Sequence, residues 1–249
     1  KKAEVKDEKQ AVSIVDDIKG RTFRVKEIAI RTVTRRAAPP YITSTLQQAC
    51  SSYCGYSPKR TMGIAQKLYE GVDIDGETLG LITYMRTDSF NIANEAREEC
   101  RNFIRGEYGD KFCPEKPNFF KSRSSAQEAH EAIRPTSVDR TPEKLSRWLN
   151  ASEMNVYKLI WRRFVASQMS PSEIDQRTVK VEVLPPDGRK DYEEYLFQAT
   201  SSEVRFPGYM KVLDQESDKK NDDEDEKQVL PELKEGEDLE CIELLKDEK

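Results

Sequence analysis

The order of hydrophobic patterns along the 249-residue chain constrains its fold more than any other feature. Residues 21–36 alternate loosely between apolar and polar side chains, which is typical of one or two β-strands. Two consecutive prolines end that pattern, helical spacing follows, and alternation returns after about residue 170. This order predicts an α+β multidomain protein. A mainly helical domain, residues 39–170, would be inserted into a discontinuous β-rich domain formed by residues 1–38 and 171–249.

Local spacing and turn chemistry place the individual elements within these domains. We predict helices over residues 8–18, from about residue 43, over 61–70 and 91–108, from Thr141, and over 152–169. We predict a short buried strand or an extended piece over 79–84, and a loop at 71–76 before it. Further strands are predicted over 178–183, 195–200, 209–213 and 239–244. A serine or threonine would cap the helix near residue 43. The helix over 61–70 would turn Leu68 and Tyr69 toward the core.

Charge is unevenly distributed along the chain. Residues 1–213 contain 35 Lys and Arg against 30 Asp and Glu, whereas residues 214–249 contain 6 against 16. The net charge of −5 therefore combines a mildly basic body, which could bind a polyanion, with an acidic end region. We interpret residues 215–228 as a solvated, flexible acidic loop. A weaker alternative is that the run Asp222–Glu226 competes with nucleic acid for the basic surface.

Cysteine and histidine usage argues against a zinc site. The five cysteines are scattered, no pair has the two-residue spacing of a zinc knuckle, and the chain holds a single histidine. Reduced, buried thiols of a cytosolic protein are the better interpretation. No apolar run approaches the length of a transmembrane helix, and the charged N-terminus does not resemble a signal peptide. Because the sequence does not begin with methionine, we expect an excised or processed piece of a longer protein.

The stretch Gly80–Ser89, with the sequence GLITYMRTDS, carries the strongest chemical signal. It places the phenol of Tyr84, the guanidinium of Arg86 and the carboxylate of Asp88 at alternate positions after an apolar segment. A phenol beside a fixed cation is suited to attack phosphorus, because the cation can hold the phosphate and favour the phenolate. The alternative is a core tyrosine at a strand end, with the arginine and the aspartate in a surface turn.

The single histidine, His130, lies in the segment Gln127–Thr136, with the sequence QEAHEAIRPT. A residue that precedes proline is held extended, so Arg134 would lie in extended chain before Pro135. A histidine and an arginine near one loop can both bind phosphate oxygens. A lone histidine is otherwise more often structural or simply exposed, and the local pattern leaves both interpretations open.

These two segments and three others resemble motifs of the bacterial-type branch of the type IA DNA topoisomerases. The five motifs occur in the family's order at compatible spacing, within about residues 10–213: Pro39–Gln48, Ile64–Gly71, Gly80–Ser89, Gln127–Thr136 and Leu159–Met169. Each motif alone would be weak, but the set is highly specific. Met85, directly after the tyrosine, favours the bacterial-type branch over the branch that carries proline there.

The resemblance implies roles for several side chains. Tyr84 would be the nucleophile that cleaves one DNA strand, leaving a 5′-phosphotyrosyl bond and a free 3′-hydroxyl. Arg86 would bind the scissile phosphate and stabilise the charge of the transition state. His130 would contact the DNA backbone near the tyrosine. A further set would bind phosphate or shape the site: Thr83, Thr87, Asp88, Arg134, Gln66 and Glu70.

The resemblance also implies what the chain works with. Relaxation of negative supercoils by strand passage would need no ATP, because the phosphotyrosyl bond stores the energy of the cleaved linkage. The family's Mg²⁺ ligands belong to an N-terminal Toprim domain, which carries an Asp-x-Asp pattern after a strand. We find no such domain element in this sequence, and no zinc is expected. The chain would supply the tyrosine-bearing domain and most of the β-rich arch of a toroidal enzyme. We expect the chain alone to be inactive in relaxation.

The expected partners are single-stranded or negatively supercoiled DNA and the remaining domains of the same protein, with no membrane. The expected location is the cytoplasm, in association with the nucleoid, or an organelle. An alternative from another class is a non-catalytic module that binds single-stranded DNA or acts as a gate with an idle tyrosine. That alternative predicts salt-sensitive binding without a covalent adduct. A tyrosine recombinase needs several arginines and a histidine around a tyrosine near the C-terminus. It is disfavoured, because Tyr84 lies early in the chain and inside the helical block.

Overall fold

The computed structural model describes residues 5, 7–121, 130–185, 194–213 and 230–243. The chain divides into two compact units, one made of residues 1–33, 174–204 and 224–249, the other of residues 34–173 and 205–223. The assignment of an arch domain and a tyrosine-bearing domain to the chain stays a prediction. The acidic run Asp222–Glu226 and the rest of the predicted acidic loop lie outside the described residues.

Helices and strands occur in a mixed order along the described residues, which confirms the predicted α+β class. The helices are α1 Glu8–Ile18, α2 Thr43–Cys54, α3 Pro58–Glu70, α4 Asn94–Tyr108, α5 Ala151–Gln168 and α6 Met210–Leu213, and a 3-10 turn covers Asp110–Phe112. The strands are β1 Phe23–Arg35, β2 Val72–Ile74, β3 Glu77–Leu79, β4 Ser172–Val183, β5 Leu196–Phe206 and β6 Asp238–Leu239. None of the described helices combines the length and the apolar character that crossing a bilayer requires.

The strands β5, β4, β1 and β6 form one sheet in that order. β6 pairs antiparallel with β1, and the pairing places Arg24 opposite Asp238. The Arg24 guanidinium donates to the Asp238 carboxylate over 2.6 Å across this pairing, at the exposed surface. Ile18, Phe23 and Val183 are buried together in a small core that joins α1 to the sheet.

The larger unit has its hydrophobic core around α5. The Asn150 side chain accepts from the Glu153 amide over 3.0 Å, and the Glu153 carboxylate accepts from the Asn150 amide over 3.0 Å. This reciprocal capping box satisfies amides at the start of the helix that otherwise lack partners. Val156, Ile160 and Phe164 then recur at four-residue spacing and are buried, as the sequence predicts.

The predicted loop at 71–76 was wrong, because β2 and β3 form an antiparallel hairpin there. The strands are joined by the two-residue turn Asp75–Gly76, in which both residues have positive φ angles, 53° and 89°. An Asp-Gly pair is suited to such a turn, since glycine and aspartate tolerate this backbone region. The turn signal was present in the sequence, but the flanking strands are too short to show an alternating pattern.

The predicted strand over 209–213 was also wrong, because these residues include the short helix α6. Tyr209, Val212 and Leu213 recur at helical spacing, and Val212 is buried. The last predicted strand, 239–244, was wrong in its bounds, since β6 covers Asp238–Leu239.

The helix predicted to open at Thr141 was wrong as well, because a series of turns follows it. Leu145 N donates to the Thr141 carbonyl, a four-residue span, whereas Trp148 N donates to the Leu145 carbonyl, a three-residue span. Mixed spans of this kind do not propagate a regular helix. The capping signal at Thr141 therefore marks the start of a series of turns and not the start of the predicted helix.

Glu153 is expected to make a pH-dependent contribution to stability. Burial raises the pKa of its carboxyl, but hydrogen bonds from Lys67 and Asn150 outweigh burial and leave the pKa below its usual value. A carboxyl with a lowered folded-state pKa stabilises the fold above its unfolded pKa of about 4.3 and loses that contribution as pH falls further. We therefore expect Glu153→Gln to lower the free energy of unfolding by about 1–3 kcal/mol at neutral pH. The deficit should shrink in acid.

Urea denaturation followed by tryptophan fluorescence, at neutral pH and at a pH well below the usual glutamate pKa, measures this difference. Glu77→Gln is the matched control, because Glu77 is an exposed carboxylate of β3. A deficit for Glu153→Gln that stays constant between the two pH values would contradict the assignment.

Candidate active site

The chain before Tyr84 pairs in an antiparallel ladder with residues 132–136. Thr83 N donates to the Arg134 carbonyl over 2.9 Å, and the Thr83 hydroxyl donates to the Ala132 carbonyl over 2.7 Å. The same hydroxyl accepts from the Arg134 amide over 3.0 Å. Thr83 therefore holds two distant segments of the sequence together at three points, immediately before the tyrosine.

Further bonds extend this ladder away from the tyrosine. Thr136 N donates to the Leu81 carbonyl over 3.0 Å, and the Thr136 hydroxyl donates to the Gly80 carbonyl over 2.7 Å. Ile82 and Pro135 form an antiparallel bridge between the bonds made by Thr83 and those made by Thr136. The predicted extended run at 79–84 is thus a paired segment, although regular strand structure ends at Leu79.

Side chains alternate between solvent and core from the tyrosine onward. Tyr84 is 43% exposed, and Arg86 and Asp88 are exposed as well. Met85 and Thr87, between them, are buried. The phenol, the guanidinium and the carboxylate therefore all face solvent, and Tyr84 is not a core tyrosine.

Thr43, the first residue of α2, ties that helix to the tyrosine segment. Its hydroxyl donates to the Met85 carbonyl over 2.8 Å and accepts from the Thr87 amide over 2.9 Å. The predicted serine or threonine cap was wrong in position, since Ile42 is the N-cap residue and its amide donates to the Thr45 hydroxyl over 3.0 Å. Sequence reasoning missed Thr43 as a site residue, although it lies in one of the five motifs.

The C-terminal end of α3 packs beside Tyr84. Leu81 N donates to the Leu68 carbonyl over 2.7 Å, and a Cβ at Gly80 would lie 2.8 Å from the Tyr69 carbonyl oxygen. Glycine at position 80 therefore permits this close approach. The Tyr69 ring stands edge-on to the Tyr84 ring, with centroids 5.4 Å apart, and is 41% exposed. The prediction that Tyr69 faces the core was wrong, and its contact with Tyr84 makes it a site residue that the sequence did not reveal.

His130 also lies beside the tyrosine. The His130 and Tyr84 ring centroids are 6.5 Å apart, with the rings inclined at 55°. The ladder explains this proximity, because it begins two residues after His130 and ends one residue before Tyr84. The structure thus brings Tyr84, His130 and Tyr69 together, and it places Arg86 on the solvent side of the same segment.

The two arginines of the predicted site differ in their surroundings. The Arg134 side chain is 11% exposed, and its guanidinium donates to the Glu131 carboxylate over 2.7 Å and to the Pro135 carbonyl over 3.0 Å. Glu131 in turn accepts from the Ala93 amide over 2.6 Å. Arg86, by contrast, makes no ion pair with the carboxylates of the described residues. The geometry therefore favours a structural use of Arg134 and leaves Arg86 available to an anionic ligand.

Gln66 and Glu70 lie one turn apart on α3, near the tyrosine pair. The Gln66 amide donates to the Glu70 carboxylate. Within the described ranges, no group of three or more His, Cys, Asp or Glu side chains could hold a metal ion. The Glu131 carboxylate is occupied by Arg134 and by the Ala93 amide. The described residues therefore do not fit a Mg²⁺ site.

Comparison with known proteins decides the family. A family model described as DNA topoisomerase matches residues 1–249. The chain belongs to the DNA topoisomerase family. It is 40% identical over 245 residues to DNA topoisomerase 1 of Rickettsia bellii and 42% identical over 237 residues to that of Helicobacter pylori. These alignments cover 98% and 95% of the chain but 30% of each relative, so the chain spans about 30% of the length of these relatives.

A solved structure agrees with this membership of the topoisomerase family. The full-length topoisomerase I from Thermotoga maritima matches with a TM-score of 0.74 and 33% sequence identity. The match covers 96% of this chain and 36% of that one. The described helices and antiparallel strands therefore follow an architecture already seen in a topoisomerase. The roles of the individual site residues stay predictions.

Replacement of Thr43 tests how the tyrosine segment is held. Thr43→Val removes the hydroxyl that bonds to the Met85 carbonyl and the Thr87 amide, so both partly buried groups lose their partner. We expect a loss of about 1–3 kcal/mol in the free energy of local opening. Hydrogen exchange of the Thr87 amide, read by mass spectrometry or NMR, measures the loss. Ser44→Ala, at an exposed neighbouring position, is the control and should leave this exchange unchanged.

Proposed function

We propose that this chain is the tyrosine-bearing part of a type IA DNA topoisomerase, and that Tyr84 attacks a phosphodiester of a single DNA strand. One observation supports the proposal above the others: Tyr84 is exposed with the His130 ring beside it, and Arg86, two residues on, is exposed as well. The relatives' names give the activity of those proteins, DNA topoisomerase 1. The exposed phenol of Tyr84 would supply the nucleophile that such an activity needs.

The proposed step conserves atoms and charge. The Tyr84 oxygen forms a bond to phosphorus, and the bond from phosphorus to the 3′-oxygen of the preceding nucleotide breaks. The phenol loses a proton, and the departing 3′-oxygen gains one. Rejoining is the reverse step, with the 3′-hydroxyl as nucleophile and the phenol as leaving group. No external energy source is needed, because one ester replaces another.

Arg86 is proposed to stabilise this reaction through its charge. Negative charge on the phosphate oxygens increases as the phosphorus becomes five-coordinate, and a guanidinium offers several N–H donors in a rigid plane. Arg86 would need little rearrangement to bind phosphate, because the backbone that carries it is held by Thr43 through its two neighbours.

His130 and Tyr69 are proposed to position rather than to react. Tyr69 packs edge-on against the Tyr84 ring, which restricts the directions that the phenol can take. His130 lies beside the Tyr84 ring, where an imidazole could donate to a phosphate oxygen of the bound strand. Thr83, Thr87 and Arg134 support this arrangement through the contacts already described.

The complete reaction is proposed to need parts of the parent protein beyond these residues. The resemblance to the family implies that the Mg²⁺ ligands would belong to a Toprim domain, and the substrate would be negatively supercoiled DNA with a single-stranded region. The parent would act in the cytoplasm, at the nucleoid. We propose that the 249-residue chain alone does not relax supercoiled DNA.

Reconstitution tests the nucleophile directly. The chain is mixed with a separately produced Toprim-containing fragment of the same parent, Mg²⁺ and a labelled single-stranded oligonucleotide. Denaturing gels then reveal any DNA that stays attached to the 249-residue chain, and peptide mapping locates the attachment. We expect the label on Tyr84 and no adduct with Tyr84→Phe. Tyr157→Phe, at a buried tyrosine of α5, is a control for general effects of losing a hydroxyl.

Three results would contradict the proposal in whole or in part. An adduct on another residue would remove Tyr84 from the reaction. Salt-sensitive binding with no adduct under any of these conditions would instead favour the non-catalytic DNA-binding module. Relaxation of supercoiled DNA by the chain alone, lost in Tyr84→Phe, would contradict the proposed dependence on the missing domains.

Replacement of Arg86 separates transition-state binding from DNA binding. We expect Arg86→Gln to slow adduct formation by about 10²- to 10³-fold, as for loss of one preorganised donor to a developing negative charge. The dissociation constant for the oligonucleotide should change far less. Arg105→Gln, on the exposed face of α4, removes an equal charge and should leave the rate unchanged. Equal losses in rate for the two variants would contradict a specific role for Arg86.

A further inference from the structure

The last turn of α3 carries the ring that packs against Tyr84. Its Leu68 carbonyl accepts from Leu81 N over 2.7 Å, and Gly80 permits the close approach of its Tyr69 carbonyl. The Tyr69 ring meets the Tyr84 ring edge-on, with centroids 5.4 Å apart. A displacement of this turn would therefore move the Tyr69 ring relative to the phenol of Tyr84.

A charged contact ties the same turn to the start of α5. The Lys67 ammonium donates to the Glu153 carboxylate, 86 residues further along the chain. The Glu153 side chain is 5% exposed, whereas the Lys67 side chain is 60% exposed. The other Glu153 oxygen accepts from the Asn150 amide in the capping box of α5. The carboxylate is therefore fixed by the fold, and the lysine reaches it from the surface through a charge-assisted hydrogen bond.

A second polar contact joins the two helices at the first turn of α3. The Arg60 guanidinium donates to the Ser152 hydroxyl over 3.0 Å. Ser152 and Glu153 are neighbours at the start of α5. Arg60 and Lys67 lie two turns apart on one face of α3, so the two contacts together fix the position and the rotation of this helix. Loss of the Lys67 contact would leave the first turn tied to α5 and release the turn that carries Tyr69.

We propose that Lys67 is a positioning residue for the reaction at Tyr84. Its ion pair with Glu153 fixes the last turn of α3, and that turn sets the direction of the Tyr69 ring. Because Tyr84 is 43% exposed, its own ring depends on neighbours such as Tyr69 for a fixed direction. The inference rests on the proposed function in that Tyr84 is the nucleophile, and it adds what orients this side chain before a strand binds. Orientation matters, because a reacting group displaced by about 1 Å can lose about 10²-fold in rate.

A direct contact between the Lys67 ammonium and a DNA phosphate is the competing use of this exposed side chain. That use would appear as weaker and less salt-dependent binding of the strand after the charge is removed. It would also be independent of Glu153. Positioning, by contrast, changes the rate of the reaction after the strand has bound and requires Glu153.

The rate of adduct formation at saturating oligonucleotide gives the first test, in the protein reconstituted with the Toprim-containing fragment and Mg²⁺. We expect Lys67→Met to slow this rate by about 10- to 100-fold and to change the half-saturating oligonucleotide concentration by less than about twofold. Methionine keeps the apolar stem and the helix propensity of lysine. Lys67→Arg keeps the charge and should restore most of the rate. Lys59→Met, at an exposed lysine in the first turn of α3, is the matched control.

A double-mutant cycle identifies the partner of Lys67. We expect Glu153→Gln to slow adduct formation as Lys67→Met does, and the double variant to be no slower than the slower single variant. All variants are compared well below their unfolding temperatures, because Glu153→Gln is expected to be less stable. Additive losses, or an unchanged rate in Glu153→Gln, would overturn positioning through this ion pair.

Fluorine NMR tests the orientation of the ring without DNA. In the 249-residue chain, 3-fluorotyrosine replaces Tyr84, and its resonance responds to the neighbouring Tyr69 ring. We expect Lys67→Met to shift or broaden this resonance, as Tyr69→Leu should, and Lys59→Met to leave it unchanged. An unchanged resonance in Lys67→Met would overturn the inference.

These outcomes separate the inference from the proposed function. An unmodified chain that forms no adduct at Tyr84 would overturn the proposed function, while the fluorine spectra still decide whether Lys67 sets the direction of the Tyr84 side chain. Weaker strand binding in Lys67→Met, with an unchanged rate at saturation, would assign Lys67 to the strand and overturn its positioning role. A slower rate at unchanged affinity, restored by Lys67→Arg, would support that role.

Discussion

The hydrogen-bonded ladder between the Tyr84 segment and residues 132–136 is the constraint on which the candidate site depends. Neither segment has regular secondary structure at this point, so local propensity alone would not hold them. The Thr83 hydroxyl acts as donor to the Ala132 carbonyl and as acceptor from the Arg134 amide, which closes the ladder next to the tyrosine. The ladder brings a phenol and an imidazole side by side from distant parts of the sequence.

The surroundings of the ladder divide the side chains into supporting and reactive groups. The Thr43 hydroxyl is hydrogen-bonded to the Met85 carbonyl and to the Thr87 amide. The Arg134 guanidinium donates to the Glu131 carboxylate and to the Pro135 carbonyl. Tyr84 and Arg86 are left at the surface. At the candidate site, an anionic ligand would meet groups that are already oriented.

Much of the fold was predictable from sequence, because long periodic segments carry their own signal. The periodicity of α1 and α5 gave both helices within a residue or two of their bounds. The hairpin at Asp75–Gly76 was missed because its strands are three residues long, too short for a pattern. The contact between Tyr69 and Tyr84 was missed because it depends on how closely Gly80 approaches the end of α3, which no local spacing encodes. The motif resemblance assigned Tyr84 and His130 to one site. The ladder is the structural reason that their rings lie side by side.

A crystal structure of the 249-residue Tyr84→Phe chain with a single-stranded oligonucleotide tests the central claim most directly. The account predicts a phosphate of the strand against the Arg86 guanidinium and the ring at position 84, with the His130 ring on the same side. It also predicts an intact bond from Thr83 N to the Arg134 carbonyl, near the 2.9 Å found here. A strand bound elsewhere on the chain, with the ladder intact and no phosphate near Arg86, would contradict it.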